Sequence, residues 1–290
     1  MDTLRSLTAA DGAAIAYRRW QAGAAAGVLV LLHGLASNMS RWSEFVARTN
    51  LKDHWNILRP DLRGQGGSVW RGRIGMAEWC ADLGALLSAE GAERAVIGGH
   101  CLGANIALEF AARHPQRVAG LVLIEPMPRA ALSGALRTVA RLRPLLAGLA
   151  GFARGLNALG LHRRRLAPLD LELLDRETRA ALAQGAAGEA LLERYASPLL
   201  DLRTTPSAAY LQALAATTGR SPQIAAIRAP ILALVSARST FTDAARTRGY
   251  LAAAPDCTIE QLDARHWIPT EQPDAMRAAI ERWMGRRYAA

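Results

Sequence analysis

The pentapeptide Gly99–Gly103 has the composition and spacing of a reactive turn, with Cys101 at its centre. It follows the apolar run Ala95–Gly98 and precedes a helix-like segment, Ala104–Arg113. A strand, a tight turn with a small residue at each end and a helix form a nucleophile elbow, which lifts its central side chain to the top of a sheet. The sequence therefore predicts Cys101 as a nucleophile, with a thiol where most such turns carry a hydroxyl.

A nucleophile at such a turn requires a general base, and His266 is the candidate. It follows the predicted last strand, Thr258–Leu262, and precedes the predicted final helix, Asp274–Gly285. In this architecture the base comes last in the chain order nucleophile, acid, histidine. We expect His33 to hold a loop in place and His114 to lie at a helix end on the surface.

Backbone donors for an oxyanion are expected directly after the apolar run Val28–Leu32. Gly34 lets the chain turn close to the nucleophile there. The N–H of Leu35, or that of Ala36, would then donate together with the N–H of Leu102 beside the nucleophile. The sequence thus predicts an oxyanion hole made of main-chain groups.

The elements that must position these residues alternate between strand and helix. Predicted strands are Leu4–Leu7, Ala14–Tyr17, Val28–Leu32, Trp55–Leu58, Ala95–Gly98, Ala119–Ile124, Ile231–Val235 and Thr258–Leu262. Predicted helices are Ser40–Arg48, Met76–Ala89, Ala104–Arg113, Asp243–Ala253 and Asp274–Gly285. Continuous apolar strands separated by helices indicate an α/β fold with a mostly parallel sheet covered on both faces.

The alternation is interrupted by an Ala-, Leu- and Arg-rich stretch with helical spacing and no convincing strand. We therefore expect a core formed by residues 1–128 and 222–290, with an inserted helical segment at residues 129–221. Its apolar stripe, from Leu136 to Leu156, is expected to pack on the rest of the insertion and the sheet, or to line an acyl pocket. The run His162–Arg165 is expected to be a solvated face, or alternatively a contact for phosphopantetheine or a carrier protein.

The motifs occur in the order and at the spacing of a known family. The sequence His33-Gly34, the loop Asp61–Ser68, the elbow and His266 resemble the α/β-hydrolase superfamily. The resemblance covers roughly residues 3–128 and 222–287. It implies an α/β-hydrolase fold, a mostly parallel sheet flanked by helices, with an inserted all-helical cap.

The acid of the catalytic triad departs from the family pattern. The usual position, after the penultimate strand, falls on Ser239, which cannot stabilise an imidazolium as a carboxylate does. Glu125 ends the strand after the elbow, where part of the superfamily places its acid. We predict Glu125 as the acid, with Asp243 as the alternative acid and an incomplete triad as the third possibility.

A cysteine at the elbow favours particular chemistry. A helix N-terminus and a nearby histidine lower the pKa of a thiol, so Cys101 would attack an acyl group as a thiolate. The resulting thioester exchanges readily with another thiol. The chain resembles superfamily members with a cysteine at the elbow, which include thioesterases and acyltransferases. We therefore predict an acyl-transfer enzyme acting on a CoA or carrier-protein thioester, as a thioesterase, acyltransferase or cyclase in small-molecule biosynthesis. The alternatives are a carboxylic ester or lactone hydrolase and a non-catalytic ligand-binding homologue.

The composition limits the remaining function classes. The net charge is +10, and the basic residues are almost all arginine, as a high-GC genome or an acidic partner would give. We find no nucleic-acid-binding motif and no long apolar segment, so we expect no nucleic acid partner and no integral membrane association. We also find no secretion signal and no metal-type cysteine spacing, and we expect no metal and no cofactor. The three unpaired cysteines favour a reducing, cytoplasmic setting.

Overall fold

Eight strands form one sheet through the centre of the molecule, whose computed structural model describes residues 1–23, 27–183 and 197–288. The strands are β1 (Asp2–Thr8), β2 (Ala14–Trp20), β3 (Gly27–Leu32), β4 (Trp55–Pro60), β5 (Ala95–His100), β6 (Val118–Ile124), β7 (Ile231–Ser236) and β8 (Cys257–Leu262). Their order in the sheet is β1-β2-β4-β3-β5-β6-β7-β8. The strands β1 and β2 pair antiparallel, β2 also pairs antiparallel with β4, and all other pairs are parallel.

Helices cover both faces of this sheet. Within the described ranges they are α1 (Ser43–Arg48), α2 (Met76–Ala89), α3 (Leu102–Arg113), α4 (Gly134–Arg141), α5 (Arg143–Ala158), α6 (Leu171–Leu182), α7 (Pro198–Thr204), α8 (Ser207–Thr217), α9 (Ala244–Ala252), α10 (Ile268–Glu271) and α11 (Pro273–Tyr288). Alternate side chains of β3 pack against helices on opposite faces of the sheet, because successive strand side chains point in opposite directions. Val30 and Leu32 pack with α2 and α3, while Leu29 and Leu31 pack with α1 and α11.

The architecture confirms the α/β-hydrolase fold predicted from the sequence. Each predicted strand is present, and the elbow helix begins at Leu102, two residues earlier than expected. The stretch predicted as a helix from Ser40 starts instead with a 3-10 turn, Met39–Trp42, capped by Asn38. The Asn38 side chain accepts a hydrogen bond from the Ser40 backbone N–H and so caps this turn.

Helices α4 to α8 lie between β6 and β7 in the described part of the chain. Ion pairs join α6 to α1 and to the 3-10 turn that precedes α1. Arg41 forms a buried pair with Asp175 at 2.6 Å, and Thr270 donates a hydrogen bond to the same carboxylate. Arg179 pairs with Glu44 at 2.5 Å. These contacts tie the inserted helices to the loops at the carboxyl end of the sheet.

The apolar stripe is half exposed and half partly buried, so the expectation that it packs inward was wrong for only part of its length. Leu145, Leu149 and Phe152 are at least half exposed. Helix α5 packs against α8, and the residue that it buries is the small Ala150. Small side chains allow two helices to approach closely, which leaves the larger leucines on the outer face.

None of the described helices is long and apolar enough to cross a membrane.

Candidate active site

Cys101 lies at the turn between β5 and α3, in the position that the elbow motif predicted. Its φ is 54°, in the left-handed region that a side chain normally avoids. Its backbone N–H donates to the carbonyl of Ile124 on the neighbouring strand β6, at 2.9 Å. Because α3 begins at Leu102, the thiol sits at a helix N-terminus, whose partial positive charge favours negative charge that develops nearby.

Two glycines make this turn possible. A Cβ atom at Gly99 would collide with the backbone of Gly103, and a Cβ at Gly103 would collide with the carbonyl of Leu32. Strand β5, helix α3 and the end of β3 therefore approach more closely than any side chain permits. This close approach brings the loop after β3 beside Cys101.

His266 and Glu125 are in contact. The Nδ1 atom of His266 is 3.2 Å from Oε2 of Glu125, and both side chains are almost completely buried. The other Glu125 oxygen, Oε1, accepts a hydrogen bond from the backbone N–H of Ser236. Glu125 ends β6 with a φ of 48°, again in the left-handed region. The arrangement is that of a carboxylate that orients an imidazole.

Ser239 occupies the usual acid position, and it donates a hydrogen bond to Glu125. Its hydroxyl oxygen is 3.0 Å from Oε2 of Glu125 and 2.9 Å from the Thr242 hydroxyl. The residue that replaces the usual acid thus helps to fix the carboxylate that contacts His266.

Asp243, the alternative acid, has a different role. Its exposed carboxylate caps α9 by accepting a hydrogen bond from the backbone N–H of Arg246, at 2.9 Å. This geometry favours Glu125 over Asp243 as the partner of His266.

The protonation of His266 reflects two opposing effects. Burial by itself would lower the pKa of this imidazole, but hydrogen bonds and charge from Cys101 and Glu125 outweigh it and raise that pKa to about 10. A pKa in this range favours the imidazolium form of His266 near neutral pH. The ring therefore holds a proton that it can give to a leaving group.

The backbone of His266 is held on both sides by residues that the sequence patterns did not single out. The Nε2 atom of His100 is 3.1 Å from the His266 carbonyl, and burial holds the pKa of His100 well below its usual value, so the neutral ring donates this hydrogen bond. The Glu271 carboxylate accepts from the N–H groups of Arg265, His266 and Trp267 at 3.0 to 3.2 Å. Only the tertiary fold brings these partners together, although a glutamate five residues after a candidate base is a signal worth inspecting.

The predicted oxyanion loop lies directly beside the nucleophile. A Cβ at Gly34 would be 3.4 Å from the Cβ of Cys101. Ala36 has a φ of 49°, so the chain turns sharply just after Leu35. Leu102 is the first residue of α3, and the N–H groups of a helix's first turn have no acceptor within the helix. Leu35 and Leu102 therefore remain the predicted donors, now with their loops placed on either side of Cys101.

His33 anchors this loop. Its Nε2 atom accepts a hydrogen bond from the backbone N–H of Leu62 at 2.9 Å, and its Nδ1 atom is 2.9 Å from the Gly34 carbonyl. The ring is fully buried, and this burial lowers its pKa to about 4. A neutral ring that donates from Nδ1 and accepts at Nε2 satisfies both contacts.

The buried neutral state of His33 predicts a loss of stability in acid. An unfolded histidine binds a proton near pH 6.5, whereas folded His33 does so only near pH 4. Between these values the unfolded chain binds more protons, so the free energy of unfolding should fall by up to about 3 kcal/mol as pH drops from 6.5 to 4. Denaturant unfolding across this range measures the effect. His33→Gln, which keeps an acceptor for Leu62, should show a shallower fall, and an unchanged slope would contradict the assignment.

Apolar side chains surround the thiol. Cys101 packs with Met127, Leu132 and Ala140, and the Met127 sulfur is 3.2 Å from the thiol sulfur. The Phe241 ring stands edge-on to the His266 ring, with centroids 4.7 Å apart. Such walls fit the hydrocarbon part of an acyl group and keep water from the reacting atoms.

No group of three or more His, Cys, Asp or Glu side chains in the described ranges is placed to hold a metal ion.

Comparison with known proteins agrees with this geometry. The sequence profile of the alpha/beta hydrolase fold matches residues 27–273. A crystal structure of a hydrolase from Pseudomonas aeruginosa superposes with a TM-score of 0.71 and 26% sequence identity, covering 98% of each chain.

Curated relatives match over shorter stretches. An uncharacterized protein of Mycobacterium tuberculosis is 34% identical over 110 residues, which are 37% of this chain and 32% of that protein. The pimeloyl-[acyl-carrier protein] methyl ester esterase of Pectobacterium carotovorum is 34% identical over 110 residues, 38% of this chain and 41% of the esterase. The chain thus matches about a third of the length of the first of these relatives.

Proposed function

Because the chain belongs to the alpha/beta hydrolase fold family, we propose that it is an acyl-transfer enzyme that works through an acyl-cysteine intermediate on Cys101. In this proposal His266 is the base and then the acid, Glu125 orients His266, and the N–H groups of Leu35 and Leu102 stabilise the oxyanion. The observation that carries it is the contact of His266 with Glu125 at 3.2 Å, with Cys101 close enough to His266 to help raise its pKa. The substrate is an acyl thioester of CoA or of a carrier protein, used in the biosynthesis of a small molecule.

The first half-reaction moves the acyl group to the enzyme. The Cys101 thiolate attacks the carbonyl carbon, a carbon–sulfur bond forms, and the carbonyl electrons move to the oxygen that the two N–H groups face. When the intermediate collapses, the bond to the leaving sulfur breaks. His266 transfers its proton to that sulfur, and the acyl group remains on Cys101.

The second half-reaction removes the acyl group. His266, now neutral, accepts the proton of an incoming thiol, amine or water molecule as that acceptor attacks the acyl-cysteine carbonyl. The bond to Cys101 then breaks and the thiolate is regenerated beside the imidazolium. The apolar wall around Cys101 disfavours water, which supports transfer over hydrolysis.

The inserted helical segment, residues 129–221, acts in this proposal as a cap over the acyl group. Leu132 and Ala140 come from this segment and pack directly against Cys101. An acyl chain bound to Cys101 would meet these side chains first. The cap therefore selects the length and shape of the acyl group.

Hydrolysis of a carboxylic ester or lactone is the second candidate. It is supported by the partial match to the pimeloyl-[acyl-carrier protein] methyl ester esterase, whose name describes an ester on a carrier protein. The same residues serve both reactions, since only the leaving group and the acceptor differ. Turnover of simple esters without any thiol or amine acceptor would favour this candidate.

We expect wild-type enzyme mixed with acyl thioesters to gain the mass of one acyl group on Cys101, because a thioester intermediate persists in water. Intact-protein mass spectrometry measures the gain, and peptide mapping locates it. Adding a thiol acceptor should discharge the adduct faster than buffer alone. If no thioester of CoA or a carrier protein acylates Cys101, and Cys101→Ala leaves turnover unchanged, the proposal fails.

A further inference from the structure

A cavity of about 290 Å³ lies between the inserted helical segment and the loop that carries Arg71. Its wall combines leucine side chains from α5, the following loop and α7 with two arginines, Arg71 and Arg163, and the ring of His162. The apolar members are Leu156, Leu161, Leu166 and Leu202. As far as the structure describes this wall, it contains no carboxylate.

The two arginines keep their positive charge without an acidic partner in this wall. Arg71 donates from Nη2 to the carbonyl of Arg163 at 3.2 Å, and Arg163 donates from Nη1 to the carbonyl of Leu202 at 2.5 Å. A carbonyl oxygen accepts a hydrogen bond but does not neutralise a guanidinium. In addition, the Nε atom of Arg71 is buried and finds no partner among the described residues.

The surroundings reinforce this positive charge. Arg164 and Arg165 follow directly and are exposed. Asp201, the neighbour of Leu202, is hydrogen-bonded to Tyr210, and burial raises its pKa to about 7, so it carries only part of its charge near neutral pH. A half-enclosed site with guanidinium groups over leucine side chains suits a phosphate attached to an apolar chain.

Helix α8 extends from this cavity towards the residues around Cys101. Its first residue, Ser207, belongs to the cavity wall. The carbonyl of its last residue, Thr217, accepts a hydrogen bond from Asn105, which also donates to the carbonyl of Met127, the residue whose sulfur contacts Cys101. Ten residue steps of a helix span about 15 Å, so the cavity end of α8 and the end that contacts Asn105 are separated by roughly that distance.

We propose that this cavity binds the phosphate end of a phosphopantetheine arm whose thioester end reaches Cys101. The chain between phosphorus and sulfur in that arm is as long as four to five extended residues, about 15 Å, which is similar to the length of α8, whose far end contacts Asn105, four residues after Cys101. The arginines bind the phosphate, and the leucines contact the adjoining dimethyl part of the arm. The arm is common to CoA and to carrier proteins, and the proposal rests on the acyl-transfer function proposed above.

The test compares two donors that carry the same acyl group, one on phosphopantetheine and one on N-acetylcysteamine, which lacks the phosphate and the dimethyl part. We expect wild-type kcat/KM to favour the phosphopantetheine donor by about tenfold or more, as one charged hydrogen bond would give. Arg71→Gln and Arg163→Gln should lose most of this preference through KM, while turnover of the N-acetylcysteamine donor stays within about twofold. Arg163→Lys should retain part of the preference, since it keeps the charge.

Arg73→Gln is the matched control. This arginine lies two residues from Arg71, is exposed and pairs with Glu78 at 3.0 Å. It should leave the preference for the phosphopantetheine donor unchanged. Running acyl-CoA and an acyl carrier protein in parallel then identifies which source of the arm is used.

A binding measurement separates this proposal from the acyl-transfer function. Cys101→Ala should bind phosphopantetheine about tenfold more tightly than pantetheine by calorimetry, whether or not any donor acylates the wild type. Equal binding of the two compounds, or an equal loss of turnover with both donors in the arginine variants, would overturn the phosphate site. Failure of both donors to acylate Cys101 would instead count against the acyl-transfer function.

Discussion

Replacing Cys101 with alanine should lower kcat/KM for every acyl substrate by at least about 10³-fold, as loss of a nucleophile does in other covalent enzymes. The expectation follows from the position of the thiol between the start of α3, the oxyanion loop and His266. Steady-state kinetics with the best acyl donor measures the effect, with thermal unfolding to verify that the variant is folded. Retention of more than about a tenth of wild-type turnover would contradict a covalent role.

The chain offers a matched control for this substitution. Burial raises the pKa of Cys257 to about 11, so this thiol is unreactive, and it lies on β8 away from the elbow. Cys257→Ser should therefore leave turnover unchanged. Cys101→Ser gives a further comparison, because an acyl-serine is an oxygen ester and passes its acyl group to thiols less readily than a thioester. We expect that variant to transfer a smaller share of acyl groups to a thiol acceptor and to release more to water.

Replacing Glu125 with glutamine should lower kcat by about 10²- to 10⁴-fold, the range expected when the carboxylate that orients a catalytic histidine is lost. The amide keeps the size of the side chain but removes the negative charge next to His266. Since Glu125 helps to raise the pKa of His266, that pKa should fall in the variant. A pH–rate profile measures the shift, which a purely structural defect would not produce.

Two further variants decide between the possible acids. Asp243→Asn should cost little activity, because Asp243 caps α9 and an asparagine is an equally good cap. The double variant Glu125→Gly/Ser239→Asp places a carboxylate at the usual position and relieves the left-handed backbone at residue 125. It should recover part of the activity lost in Glu125→Gly alone. A larger loss in Asp243→Asn than in Glu125→Gln would reverse the assignment.

The parts of the site that follow strand ends could be predicted from the sequence. Buried strands consist of uninterrupted apolar runs, so their carboxyl ends can be located, and Cys101 and Glu125 lie directly after such runs. His266 follows the partly polar edge strand β8, and its position after the last strand identified it. The glycines of the elbow could also be predicted from the sequence, because close backbone approach excludes every other residue type there. The fold class rested on the same alternation of strands and helices and is confirmed.

The contacts that support His266 could not be predicted from the sequence. His100 and His266 are 166 positions apart in the chain, and only the sheet brings the ring to the carbonyl. The packing of the inserted helices also escaped prediction, since an apolar stripe indicates a helix without telling which neighbour it meets. In α5 the small Ala150 packs inward while Leu145, Leu149 and Phe152 are exposed, which the pattern of hydrophobic residues would not suggest.

The left-handed residues of the described chain have a consequence for how this protein can evolve. Apart from glycines, they are Ala36, Cys101 and Glu125, which belong to the proposed oxyanion loop, the proposed nucleophile and the proposed acid. Such a conformation costs about 1 to 2 kcal/mol at each non-glycine residue. Selection for heat resistance would therefore find glycine favourable at all three positions. At Ala36 the change loses only a methyl group, whereas at Cys101 and Glu125 it removes the chemistry, so a stabilised descendant with glycine there would be a folded but inactive protein.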